Sequence, residues 1–383
     1  MGIKRTLFVA LAFLCLLSSG LKAQKRLRDY GVVLGVMKTG PNNAITDVKG
    51  VRVGHVTLNS KDDMRTGVTA IIPIRQNIYE NKVPAGVYVG NGFGKMAGIS
   101  QIQELGNIET PIVLTNTLNV AEGIAGIVEN AIEQNHCRSV NAVVGETNDG
   151  TLNNIQARYV TKADVIRAIK EAKDGPVAEG CVGAGTGTRA FGYKAGIGTS
   201  SRVLPASMSG YTVGVLVQAN FGGVLQIAGT PIGQLMDKYS FRNDILHDVD
   251  GSCMIVVITD APVDSRNLER MAKRAILGLA QTGGIAANGS GDYAIALSVA
   301  EENLISNKTP RYTSTVLKNE DMSSLFLATM EATSEAIWNS LFAAEDMTGY
   351  KGTTVKAIDK EKAVRLILNA QNANGLKSTY PAR

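Results

Sequence analysis

Between residues 253 and 300 the chain reads as strand, helix, glycine-rich turn and strand, and this order restricts the fold more than any other feature. Residues 253–259 are an apolar run of strand length. Residues 264–281 follow with Leu268, Met271, Ala272, Ala275 and Leu279 on one side and Arg266, Glu269, Arg270 and Lys273 on the other, the spacing of an amphipathic helix. The pattern then breaks at Thr282-Gly283-Gly284 and at Asn288-Gly289-Ser290-Gly291-Asp292, before a second strand resumes over 293–300.

Asn-Gly between apolar runs ordinarily signals a tight hairpin turn. A second reading rests on Ser290. If the Gly289–Ser290 bond is cut, Ser290 becomes a new N-terminus whose free amine, with an ordinary pKa of about 8, can serve as base for its own hydroxyl.

Composition sets outer limits. The chain has 383 residues with 44% apolar side chains, enough for a sizeable core, and 41 glycines against 5% aromatics, which predicts tight turns and strands in close backbone contact. Residues 1–23 read as an export signal: Lys4 and Arg5 precede an apolar run over 7–17, and a cut after Leu21-Lys22-Ala23 fits. Removing it takes Lys4, Arg5 and Lys22 from a formal net charge of +5, so no nucleic-acid or membrane partner follows from charge. Residues 24–383 then read as one domain, secreted or periplasmic. Cys137, Cys181 and Cys253 are odd in number and widely spaced, which argues for structural thiols rather than a disulfide framework. His55, His136 and His247 make no metal spacing, and His55 reads as a hydrogen-bonded structural imidazole.

Earlier in the chain, strands are expected near 51–55, 67–73, 83–89 and 111–117, with helices over 90–104, 118–135 and 165–173. The 118–135 helix carries Val120, Ile124, Ile127, Val128 and Ile132 near helical spacing, and Thr161-Lys162-Ala163-Asp164 resembles a helix-starting box. A strand over 211–219 precedes a polar segment around 237–251, and helices are expected over 323–342 and 359–372. Alternation of strands and helices makes the class mixed α/β. Gly183-Ala184-Gly185-Thr186-Gly187 does not run directly into a helix, so it is a poor nucleotide-binding loop.

Taken together, Ile45-Thr46-Asp47-Val48, Val53-Gly54-His55, Thr110-Pro111-Ile112, Thr115-Asn116-Thr117, Gly145-Glu146-Thr147-Asn148-Asp149, the two glycine clusters at 183–187 and 196–199, Val217-Gln218-Ala219-Asn220-Phe221-Gly222 and Asn288-Gly289-Ser290-Gly291-Asp292 resemble one family. It is that of the L-aminopeptidase/D-esterases and β-peptidyl aminopeptidases, self-processing peptidases with an N-terminal serine nucleophile. The resemblance runs from about residue 28 to about 342. It implies a four-layer αββα sandwich, cleavage into an α chain (24–289) and a β chain (290–383), homo-oligomers of αβ units, and release of N-terminal residues from small peptides, amides or esters without metal or cofactor.

Residue by residue, the resemblance makes Ser290 the nucleophile, with Gly289 and Ser290 flanking the cleavage bond. Asn220 matches the oxyanion donor, the alternative being a strand-end turn residue. Glu146 matches the carboxylate that holds the substrate ammonium, the alternative being a solvated loop acid. Asn148 stands where a relative uses a tyrosine as second donor. A hydroxyl, one residue and a glutamate recur as Thr329-Met330-Glu331 and as Thr333-Ser334-Glu335, and the first pair is the preferred match for orienting the new amine. Two competing readings are an acetyltransferase of the ornithine acetyltransferase type, against which Ser290 and the export signal argue, and an uncut exported binding protein.

Overall fold

The computed structural model describes residues 25–60, 62–240, 242 and 250–376. The export signal expected at 1–23, His247 and most of the 237–251 segment lie outside them. The first part of the chain supplies β1 (Arg52–Leu58), β2 (Thr66–Ile72), β3 (Asn81–Gly92), β4 (Met96–Ala97), α1 (Ile99–Leu105), β5 (Asn107–Ile108), β6 (Ile112–Asn116), α2 (Val120–Gln134), β7 (Val143–Thr147) and α3 (Lys162–Lys170). The rest supplies the hairpin β8 (Arg189–Ala190) and β9 (Tyr193–Lys194), then β10 (Ile197–Val203), β11 (Thr212–Asn220), α4 (Ile232–Leu235), β12 (Asp250–Thr259), α5 (Ser265–Gln281), β13 (Gly289–Ser298), β14 (Ile305–Ser306), α6 (Ser323–Phe342) and α7 (Lys360–Ala373).

The strand–helix–strand unit read at 253–300 forms the centre of the larger sheet, whose order is β10-β11-β12-β13-β3-β14 with β5 also on β3. β12 and β13 pair in parallel, and α5 makes the crossover that parallel neighbours require. Both faces of β13 are covered, which is why residues 293–297 are apolar without alternation. Tyr293, Ile295 and Leu297 turn toward the smaller sheet, β1-β2-β6-β7-β4, where they meet Ile71, Leu114 and Val143. Ala294 and Ala296 turn toward the buried faces of α5 and α6. The small sheet's other face, with Val68, Val113 and Val144, packs on α2 and α3 through Ile127 and Val165. Helices, sheet, sheet, helices: this is the αββα sandwich.

Three sequence readings change. The helix expected over 90–104 begins only at Ile99, because β3 continues to Gly92 to pair Asn91 and Gly92 with Asp292 and Gly291; tertiary pairing overrides weak local preference. β7 and β10 were not legible, since Gly145, Glu146 and residues 198–202 lack apolar alternation; buried ladder pairing makes them strands. Ile124 and Ile132 of α2 face outward, while Val120 and Ile127 carry the packing. Of the cysteines among the described residues, only Cys253 is fully buried. The 183–187 cluster is a packing device: a short turn against β2, with Gly196 so close to the Gly180 carbonyl that a Cβ would lie 1.7 Å from it. Among the described residues no helix is long and apolar enough to cross a membrane.

Candidate active site

Ser290 is the second residue of β13, opposite Gly251 of β12, and no hairpin forms at Asn288-Gly289. The hydroxyl is buried and has no hydrogen-bond partner. The approach to it is held on all sides. The Ser290 amide donates to the Ala287 carbonyl (2.8 Å), and the Ser290 carbonyl accepts from the Phe93 amide (3.2 Å). The Asn91 side-chain amide spans the turn, donating to the carbonyls of Ala287 (2.9 Å), Asn288 (3.1 Å) and Ser290 (2.5 Å). Such bracing fixes the backbone on both sides of the Gly289–Ser290 bond.

β11 and β12 carry the next pieces. Asn220 pairs with Ser252, which pairs with Gly291, so Asn220 stands two strand spacings, about 10 Å, from the residue after Ser290. Its Oδ1 accepts from the Arg189 amide (3.1 Å), which fixes Nδ2 as the donor end. Ser252 donates to the Gly251 carbonyl (2.6 Å) and accepts from the Gly291 amide (3.3 Å), closing this end of the ladder.

Glu146, at the end of β7, reaches the same place through a glycine. A Cβ on Gly94 would lie 3.1 Å from Glu146 Oε1 and 3.3 Å from Gly291 Cα, so only a bare backbone fits between the carboxylate and β13. Glu146 is buried, and Oε1 accepts from the Lys95 amide (2.9 Å) and from Lys95 Nζ (3.1 Å). Lys95 Nζ also donates to Thr117 Oγ1 (2.6 Å), yet the lysine side chain is half exposed. A buried carboxylate whose cation comes from a solvated, mobile stem is suited to exchanging that cation for another ammonium.

The remaining expected residues sit elsewhere. Asn148 is exposed, and its Oδ1 accepts from the Gly150 amide. Thr329 is buried in α6, where its hydroxyl donates to the Leu325 carbonyl (2.7 Å). Glu331 accepts from the Val36 and Met37 amides and from Arg202 Nε (2.8 Å). In the alternative pair, Thr333 donates to the Thr329 carbonyl and Glu335 accepts from Arg28, Arg202 and Asn43. Burial would raise Glu335, but Arg202 and Arg28 overcome it and hold the carboxyl at about 2. None of these four side chains contacts Ser290 among the described residues. The helix turns both hydroxyls onto its own carbonyls and both glutamates toward residues 28–43 and Arg202.

Sequence reading missed three groups. Asp292, two residues beyond Ser290, is fully buried with neither carboxylate oxygen hydrogen-bonded, and burial pushes it up to about 6. Strand alternation, which puts i and i+2 on one face, was the available signal. Tyr293 donates to the Gly94 carbonyl (3.0 Å) and is raised by burial, then by Glu146 and Asp292. Asn91 carried no signal, because its strand was read as a helix. His55 is bound to Thr69 Oγ1 through Nδ1 (2.9 Å) within the small sheet, and burial with Lys173 lowers it to about 4.

The profile of peptidase family S58 matches residues 43–355. The chain is 40% identical over 361 residues to beta-peptidyl aminopeptidase BapA of Sphingosinicella microcystinivorans, covering 87% of this chain and 89% of that one. Among solved structures, a beta-aminopeptidase from Burkholderia sp. superposes with a TM-score of 0.82 at 38% identity, covering 93% of this chain and all of that one. The L-aminopeptidase D-Ala-esterase/amidase of Ochrobactrum anthropi, a serine aminopeptidase described as a new variant of the Ntn hydrolase fold, superposes with a TM-score of 0.82 at 36% identity over 91% of this chain and 99% of that one. With the sandwich architecture and these relatives in agreement, the chain belongs to peptidase family S58 and is an aminopeptidase of the Ntn hydrolase fold.

Proposed function

We propose that the chain is exported, cuts itself between Gly289 and Ser290, and then releases N-terminal residues, β-amino acids foremost, from small peptides, amides or esters. The observation that carries this reading is the buried, unpartnered Ser290 hydroxyl at the head of β13, with the Glu146 carboxylate one glycine away. Cutting turns the Ser290 nitrogen into an amine that takes the hydroxyl proton as the serine attacks the substrate carbonyl. Asn220 Nδ2 donates to the oxyanion. Glu146 exchanges Lys95 for the substrate's ammonium, and this anchor confines cleavage to the first residue. Glu331 enters only as a positioning residue, holding α6 to Arg202 and to residues 36–37, and Thr329 is spent on the helix's own Leu325 carbonyl. Asn148 is exposed and takes no part in the chemistry.

The preference for β-residues is supported by the names of two relatives, both beta-peptidyl aminopeptidases, that match most of this chain. Export is supported by the leader over 1–23. Assembly of αβ units is supported by Leu118, Ile124 and Ile132, apolar side chains exposed on and beside α2. Intact mass and N-terminal sequencing test the reading: wild type yields two chains, one starting at Ser290, and hydrolyses β-Ala amides faster than L-Ala or D-Ala amides. Ser290→Ala yields one chain without activity. Cleavage of that variant at the same bond would sink the reading.

A further inference from the structure

We propose that Asp292 is the base of the self-cleavage step, taking the Ser290 hydroxyl proton before any free amine exists at that position. The inference rests on the self-processing reading above and addresses what that reading lacks. In the continuous chain the Ser290 nitrogen is an amide, occupied in donating to the Ala287 carbonyl, and cannot act as a base. Some other group must accept the proton.

Asp292 meets the requirement by position. β13 keeps a regular parallel register with β12 from Asp250↔Gly289 to Thr259↔Ser298, so Ser290 and Asp292 project from the same face of one strand. Asp292 is 0% exposed, and both of its oxygens and Ser290 Oγ lack hydrogen-bond partners. A buried carboxylate is costly, and the Ser290 side chain and the Cys253 backbone offset only part of that cost. Burial raises the carboxyl to about 6, and the Ser290 side chain opposes that rise from close by, although no hydrogen bond has yet formed between them. A carboxylate raised this far is a better base than an ordinary one and is still largely ionised at neutral pH.

The step balances. Ser290 Oγ bonds to the Gly289 carbonyl carbon as its proton passes to Asp292, and the carbonyl electrons move onto oxygen. Collapse breaks the carbon–nitrogen bond, whose electron pair remains on the Ser290 nitrogen; that nitrogen takes the proton from Asp292. Water then hydrolyses the Gly289–Ser290 ester, freeing the Gly289 carboxylate and the Ser290 hydroxyl.

Glu146, across Gly94 from Gly291, already accepts from the Lys95 amide and Nζ, and the other titratable neighbours do not supply the proton acceptor. Cys253, opposite on β12, is raised well above its ordinary value by burial and then by Asp292, and Tyr293 is raised as well, so both stay neutral. β3 presents the neutral Asn91, and α5 packs inward with Leu268, Met271, Ala272, Ala275 and Leu279.

The test follows cleavage of full-length chain freshly made in a cell-free reaction and shifted to buffers between pH 4.5 and 8. Wild-type cleavage rises with pH through about 6 and then levels, and Asp292→Asn, folded by thermal unfolding, cuts at least about a hundredfold more slowly with no such rise. Asp292→Asn cutting within about threefold of wild type overturns the inference. A flat wild-type profile also overturns it, and needs no variant to fold. Failure of wild type to cut at all would instead remove the self-processing reading itself.

Discussion

Two buried polar clusters lie on the helix-covered face of the same sheet and are built in opposite ways. At β10, Arg202 is 1% exposed and uses all five of its N–H donors, on Glu331 Oε2, Glu335 Oε2, Ser200 Oγ and the carbonyls of Ser201 and Glu331. Arg28 and Asn43 complete Glu335. Every charge is answered. At β13, Ser290 Oγ and both oxygens of Asp292 are answered by nothing. Satisfied buried charge rigidifies a fold, whereas unsatisfied buried charge is held in place by the surrounding structure and is available for chemistry. The hydroxyl-x-glutamate pattern of α6 belongs to the first kind of cluster, Ser290 to the second.

The largest expected effect breaks the first cluster. Arg202→Met leaves Glu331 and Glu335 buried beside an apolar stem and should cost about 3–5 kcal/mol in urea unfolding. A loss below about 1 kcal/mol would mean that Arg28 alone satisfies Glu335 and that the cluster is not one unit.

Next is the site. Asn220→Ala should fold normally and lower kcat about a hundredfold, or roughly 2.7 kcal/mol of barrier, with KM little changed. Steady-state kinetics on a β-Ala amide decide this, and turnover within about threefold of wild type would return Asn220 to the role of a strand-end residue.

The third prediction compares the clusters through pH. Asp292 titrates near 6 folded against an ordinary 3.8, so as pH rises from about 4 to 6 the unfolded chain releases its proton first and the folded state loses stability. Glu335 runs the other way: held at about 2 folded against 4.5, its contribution is present above about 4.5 and is lost as pH falls toward 2. In a Ser290→Ala background, which keeps the chain continuous, adding Asp292→Asn should therefore stabilise by about 3 kcal/mol well above pH 6 and by nothing below pH 4. Thermal unfolding across that range checks it; equal gain at both ends would show that the asparagine acts by packing rather than by charge.

The smallest effect sharpens the site's boundary. Lys95→Met removes the cation that competes with the substrate's ammonium for Glu146, so KM should fall about threefold with kcat unchanged, an effect below about 1 kcal/mol for a half-exposed pair. A rise in KM would make Lys95 part of the binding surface instead.

The sequence by itself determined the elements whose burial is written into local pattern. The apolar runs that became β11, β12 and β13, the amphipathic face of α5 and the small-residue turn before Ser290 were all legible, because each side chain's environment repeats with the period of its own backbone. Asn220, Glu146 and Ser290 were found through ordered motifs, not through their surroundings. What only the tertiary structure decided is where polar residues end up when pairing, rather than hydropathy, makes them a strand. Residues 198–202 and 143–147 enter buried ladders because neighbouring strands need partners, and β3 runs on to Gly92 because β13 does. Those same pairings bring Asn91 over the turn, aim Glu331 and Glu335 at Arg202 instead of at the serine, and leave Asp292 unanswered beside Ser290. A hydrogen bond between residues 130 or 300 positions apart has no signature in local sequence; it exists only once the sheets have closed and water has been excluded from around it.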